Sequence, residues 1–234
     1  MSSTRSSLFT VATLVAHFFR LSFRRVSTWV IFVAAPIVGV SAMYLLVEGA
    51  ELGILVFTSS LQACILALLS VREKELGVYK RILVAPVTGV VYAASLFLAV
   101  YLVLAFEIIV VVSAVYLIPV AQPAAGFGPV LAVLLAYGLA AAAYGVALTA
   151  LVSTSVQGSI VANITVIFSS LIAGCFWPVT IMPETMQRLA RILPQTWANL
   201  AIADLGSGAG LAGVAMELGL LGLYAVVFVL AYAV

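Results

Sequence analysis

SVREKELGVYKRILVAPVTG, residues 70–89, lies between two long apolar stretches, and six of its first dozen positions are charged: Arg72, Glu73, Lys74, Glu75, Lys80 and Arg81. The chain of 234 residues has ten basic and eight acidic side chains, so a third of its charge is gathered here. On either side the sequence suits hydrocarbon: 65% of residues are hydrophobic, 8% are charged and the mean hydropathy is +1.31. A soluble globular domain runs at roughly 45–50% apolar and 25% charged, so this composition excludes one and places the chain in a bilayer. The net charge of +2 is not spread over a basic surface with interleaved aromatics, which excludes nucleic acid as a partner.

A helix that crosses the hydrocarbon core needs about 20 mostly apolar residues. Six stretches qualify, at 26–47, 52–71, 90–118, 130–152, 159–177 and 211–234. They predict an all-α integral membrane protein forming one transmembrane domain over 1–234. Residues 8–19 are apolar too, but Arg20, Arg24 and Arg25 stand where a signal peptidase needs small residues, so the N-terminus is expected to be retained. Basic residues collect in alternate loops. Arg5, Arg20, Arg24 and Arg25 precede the first span, Arg72, Lys74, Lys80 and Arg81 lie between the second and third, and the loops between are empty of them. The positive-inside rule then puts both termini in the cytoplasm and segment 178–205 outside, with Arg188 and Arg191 as an exception.

Before the first span the polar residues keep a helical period. Ser6, Thr10, Thr13, His17, Arg20 and Arg24 recur at steps of three and four, while Leu8, Phe9, Val11, Leu14, Val15, Phe18, Phe19 and Leu21 cover the other side. The pattern predicts an interfacial helix over 6–25, lying among lipid headgroups with its arginines toward anionic lipid. His17, the chain's sole histidine, is read as a polar-face residue of that helix.

One histidine and two cysteines remove most enzymatic readings. An intramembrane protease needs a serine with a histidine base within the membrane, or a metal motif such as H-E-x-x-H, and neither occurs. Cys64 and Cys175 fall inside apolar spans, where they act as small hydrophobes. A phosphate-binding G-x-x-x-x-G-K-[ST] loop is also missing. No catalytic residue, metal site or cofactor is expected on this chain, and any ATP must be bound by another subunit.

Returning to the charged stretch, a helix over 72–83 would place Glu73 and Glu75 in its first turn and Lys80 and Arg81 in its last, as the helix dipole favours. Pro86 would keep it from running into the third span. Within it only Arg72 and Glu75 stand at an opposite-charge i,i+3 spacing, leaving the other charges available. Leu76, Ile82 and Leu83 add an apolar component. Spacing alone supports two readings: an element presented to a partner protein, or a basic loop that sets topology against lipid headgroups.

The run Arg72, Glu73, Glu75, Gly77, Ile82, Leu83 and Pro86 resembles the R-E-x-E-x-G-x-x-x-x-L-L-x-x-P segment of type-2 ABC transporter permeases, the membrane subunits of a large bacterial exporter family. Residues 174–197, GCFWPVTIMPETMQRLARILPQTW, resemble that family's signature after its fifth span: a glycine and aromatic, then Pro178, Met182 with Pro183, and Pro194 before Trp197. Val78 departs from the threonine often found after the glycine. The resemblance implies that 72–83 is a coupling helix docked into a groove on a separate ATPase subunit, with Arg72, Glu73, Glu75, Gly77, Lys80, Arg81 and Pro86 as its characteristic positions. It implies two ATPase subunits, which hold ATP and magnesium, and a second permease, identical or paralogous, in a bacterial plasma membrane. It implies export of a hydrophobic or amphiphilic substrate, such as a drug, an antimicrobial peptide or a lipid, between the second and fifth spans. Phe57, Gln62, Asn163 and Phe168 are the residues here that could line that path; packing or an interhelical hydrogen bond is the plainer role for each.

Three further features complete the reading. In 184–193, Met186, Leu189, Ala190 and Leu193 fall on one side of a short helix and Gln187, Arg188 and Arg191 on the other, between Pro183 and Pro194. With the resemblance, this predicts re-entrant helices forming an external lid over 178–205. Glu107 and Glu217 lie within apolar runs, at depths of about 24 Å from the inner entry of the third span and ~9 Å from the outer entry of the sixth, at ~1.5 Å per residue. Both fall in the outer half, where at least one is expected to approach Arg188 or Arg191 and hold the exit closed; satisfaction by a neighbouring hydroxyl or by headgroup water stands beside that. Gly138, Ala142 and Gly145 give the fourth span a small-residue face for close packing. Two other classes of protein remain alternatives: a secondary transporter, which would carry polar, broken helices at the midplane of both halves, and a non-transporting scaffold subunit, which would need neither the charged element nor the lid.

Overall fold

Apolar runs of this length, with no water to satisfy their backbone, fold as helices, and the computed structural model is helical in all its long elements. It describes residues 11–20, 33–46, 52–77, 89–117 and 123–233. In chain order these form α1 (Val11–Arg20), α2 (Ala35–Leu46), α3 (Gly53–Glu75), α4 (Gly89–Leu117), α5 (Phe127–Leu151) and α6 (Ser155–Ile172). A 3-10 turn at Val179–Ile181, α7 (Glu184–Ala190), α8 (Pro194–Gly206) and α9 (Ala215–Ala233) follow. Among the described residues five helices, α3 to α6 and α9, are long and apolar enough to cross a membrane. The expected first span is described only over 33–46, and the expected interfacial helix only over 11–20, where it is helical.

Helix ends follow local chemistry more closely than hydropathy does. Pro129 sits in the first turn of α5, where its missing N–H costs nothing, so that helix starts ahead of the expected 130. α6 begins at Ser155, earlier than the expected 159, because the Thr154 hydroxyl accepts from the Gln157 N–H at 3.2 Å and caps it. It ends at Ile172, well before Trp177. Gly174 takes φ +81°, and the Cys175 N–H reaches back to the Ser170 carbonyl at 3.1 Å, a Schellman closure that only glycine enters freely. Thr154→Ala should cost the start of α6 about 1 kcal/mol, read as faster amide exchange at Gln157 and Gly158 with the rest of the chain unchanged.

α5 is the hub, packing on α3, α4, α8 and α9. Its small residues permit this: Gly138, Ala140, Ala141, Ala142, Ala143 and Gly145 are all buried, so the predicted small-residue face serves packing within the chain. α6 and α9 sit at the periphery. α4 shows lipid a row of Leu98, Leu102, Phe106 and Ile109 while burying its other side. Within the segment expected to form the lid lie two helices, α7 and α8. α8 tucks against α3, α5 and α9, whereas α7 contacts α6 and leaves Met186 and Leu189 exposed.

Most hydroxyls within the spans are spent inside their own helix. Ser41, Thr58, Ser60, Ser70, Ser95, Thr149 and Thr165 each donate to a carbonyl three or four residues back. Other polar contacts join separate helices, among them the Ser60 and Tyr137 hydroxyls between α3 and α5, Tyr144 with Thr165 at 2.6 Å between α5 and α6, and Gln195 with Ser169 at 2.9 Å between α8 and α6. Cys64 and Cys175 are free thiols, fully buried, as expected of small hydrophobes.

Candidate functional site

The charged stretch does not begin a new helix at Arg72. Arg, Glu, Lys and Leu are strong helix formers, so α3 continues through its last apolar turn and takes Arg72, Glu73, Lys74 and Glu75 as its final turn. It stops at Gly77, whose φ of +73° turns the chain out of the helix while the Leu76 and Gly77 N–H groups bond back to the Arg72 and Lys74 carbonyls. The expected helix over 72–83 is corrected accordingly at its start. Residues 78–83, with Lys80 and Arg81, and Pro86 beyond them lie outside the described residues.

This register reverses the electrostatic reading of the two acids. At the C-terminal end of α3 the dipole favours Arg72 and Lys74 and disfavours Glu73 and Glu75. Each acid is compensated by a distant part of the chain. Glu75 is exposed, and its Oε1 accepts from the Ser155 N–H at 3.1 Å and its Oε2 from the Ser155 hydroxyl at 2.6 Å. Those donors lie at the positive N-terminal end of α6, so the carboxylate joins the end of the second span to the start of the fifth. Glu73 is only 6% exposed, and its Oε1 lies 2.7 Å from His17 Nε2 on α1. An open groove of about 440 Å³ runs between α3 and α6, lined by Ile65, Leu68, Leu69 and Arg72 on one side and Ser155, Val156 and Ser159 on the other.

The four residues considered for a substrate path do not converge. Gln62 is 5% exposed and turned into the bundle, where its amide meets the Glu107 carboxyl of α4. Phe57 is half-buried and packs on Phe176 with ring centroids 5.1 Å apart. Asn163 and Phe168 lie on the broad exposed side of α6, Asn163 donating to the Ser159 carbonyl at 2.7 Å. Of the four, only these two are exposed.

The expected outer ion pair is not formed, and this is the second correction. Among the described residues neither Glu107 nor Glu217 pairs with Arg188 or Arg191. Arg188 instead meets Glu184, one turn earlier on α7, at 3.5 Å. α7 buries Ala190, which leaves its two arginines outside. Glu107 meets Gln62 across α3 and α4, a common polar contact between membrane helices, while its Oε2 has no hydrogen-bond partner among the described residues. Glu217, 8% exposed, occupies the first turn of α9, where the dipole favours an acid.

Sequence reasoning missed both long-range partners of the acidic turn. The one signal for the first was that the chain's sole histidine faces the polar side of α1; for the second, that Ser155 follows a capping threonine.

Residues 42–234 match the profile of a family described as ABC-2 family transporter protein. A stretch of 61 residues is 34% identical to the linearmycin resistance permease protein LnrN of Bacillus subtilis (strain 168). That stretch is 26% of this chain and 16% of the length of that relative.

Proposed function

Because the chain belongs to the ABC-2 family of transporter proteins, we propose that it is the permease subunit of an ATP-driven exporter, working with two ATPase subunits and a second permease in the bacterial plasma membrane. The chain's own sequence has no phosphate loop, so ATP and magnesium belong to the ATPase subunits. Both termini and the final turn of α3 face the cytoplasm, in keeping with the clustering of Lys and Arg.

The observation that carries this reading is the two-way tie at the acidic turn. Arg72, Glu73, Glu75 and Gly77, with Lys80, Arg81 and Pro86 following, form the segment that receives the ATPase. The same turn is hydrogen-bonded to Ser155 at the head of α6. Movement imposed on the segment therefore reaches both the second and the fifth spans directly. Asn163 and Phe168, exposed on α6, line the translocation path, and Gln62 braces α3 from within the bundle. Residues 178–205, with Arg188 and Arg191 exposed on them, cover the outer side as a lid. The substrate class is hydrophobic or amphiphilic; the partial relative is named for resistance to linearmycin, which fits a drug or antimicrobial cargo.

Gentle extraction of the tagged chain from its native membrane, followed by intact-mass measurement and an ATPase assay, tests the assembly. ATPase subunits should co-elute and hydrolyse ATP, and reversing the charges of Arg72 and Lys74 should release them. A chain that elutes without an ATPase, or transports on an ion gradient alone, overturns the reading.

A further inference from the structure

We propose that His17 is a positioning residue for energy coupling: through Glu73 it ties the N-terminal helix to the ATPase-receiving turn, so that α1 moves with that turn. The proposal rests on the reading of that turn given above.

The anchoring of Glu73 is the starting point. Its side chain is buried at the C-terminal end of α3, where both desolvation and the helix dipole oppose a carboxylate. Its Oε2 has no hydrogen-bond partner among the described residues, so the Oε1 contact at 2.7 Å carries the anchoring. A carboxylate oxygen only accepts, which assigns the hydrogen to His17 Nε2. Arg72, one residue earlier, lines the groove toward α6, and Glu75 is engaged by Ser155.

The residue next to His17 makes the geometry a bracket. Phe18 is 3% exposed and meets Tyr92 of α4 edge-on, with ring centroids 6.3 Å apart. Two adjacent side chains of α1 thus hold the last turn of α3 and the first turn of α4. These are the two helix ends that flank residues 76–88. Any displacement of that segment that moves the helix ends drags α1 along, or must first break the His17–Glu73 bond. An amphipathic helix fixed in this way also sets how deep the turn sits relative to the headgroups.

The test uses the intact permease–ATPase complex in lipid nanodiscs, with hydrolysis rate and intact mass read together. His17→Ala and Glu73→Ala should each lower hydrolysis about tenfold while the ATPase stays bound, as expected for loss of one hydrogen bond to a charged group. The double variant should be no slower than the slower single, because both remove the same contact. His17→Gln, which keeps a donor, should stay within about twofold of the parent rate. His17→Met keeps the bulk and removes only the N–H, and decides the matter if His17→Ala is not recovered from membranes. A normal rate in His17→Ala or His17→Met with the ATPase bound, or single losses that multiply in the double variant, overturns the proposal alone. Absence of the ATPase from the parent complex instead overturns the functional reading, and the proposal with it.

Discussion

Gly145→Val is expected to remove the chain from the monodisperse fraction after extraction, and Gly145→Ala to lower its melting temperature sharply. A Cβ at this position would stand 2.6 Å from the Ala63 carbonyl oxygen, 2.8 Å from its carbon and 3.1 Å from the Cys64 nitrogen. All three are backbone atoms of α3, which cannot rotate aside as a side chain can. The two central helices would have to separate along the contact that organises the bundle. Overpacking a core against yielding side chains already costs about 1–3 kcal/mol, and against a backbone the cost of alanine should exceed about 3 kcal/mol. Two glycines of the same helix serve as controls. At Gly138 the nearest atom to an added Cβ is the flexible Ile108 Cδ1 at 3.2 Å, so alanine there should cost about 1 kcal/mol. At Gly128 nothing lies within 4 Å, and alanine should be tolerated. Equal melting of all three alanine variants would refute the close approach of α3 and α5.

The second large effect is functional. Glu75→Ala should leave the complex assembled and lower its ATP hydrolysis about tenfold, within the range of coupling between distinct sites. The carboxylate is fully exposed and contributes little to folding, so stability should not follow activity. What it does is bridge 80 positions of sequence, from the end of α3 to Ser155. Ser155→Ala removes the 2.6 Å hydroxyl contact and keeps the backbone one, so its loss should be smaller, about threefold. Glu75→Gln retains an acceptor and should fall between the parent and Glu75→Ala. Matching losses of stability and activity would mean that Glu75 is only a structural cap.

The sequence was most informative where the physics is local. Length of apolar run located the five described spans, the three-and-four period located α1, and proline located the breaks around α7. It misled where composition was taken for a boundary. Charge does not end a helix, and the Arg72–Glu75 turn stayed in α3 until Gly77 supplied a left-handed residue. It was silent wherever two helices choose a rotation about each other. Whether Glu107 turns toward Gln62 or toward the arginines of α7 depends on the register between α3 and α4, and no spacing within one chain segment encodes that. The same is true of His17 and Glu73, 56 positions apart. The small-residue face of α5 was legible, yet the identity of the helix pressed against Gly145 was not.

The inward-folded hydroxyls of the spans bear on how such a machine could run. A stroke that shifts helices past one another by part of a turn would tear any ladder of directional bonds strung between them, and each torn bond would be stranded in oil. Here the serines and threonines keep their hydrogen within their own coil, so the faces that must slip meet chiefly through dispersion, which re-forms at nearly equal strength after the shift. Friction is confined to a few rivets, with Tyr137 and Ser60 joining the central pair, and those mark the parts that should travel together as one body.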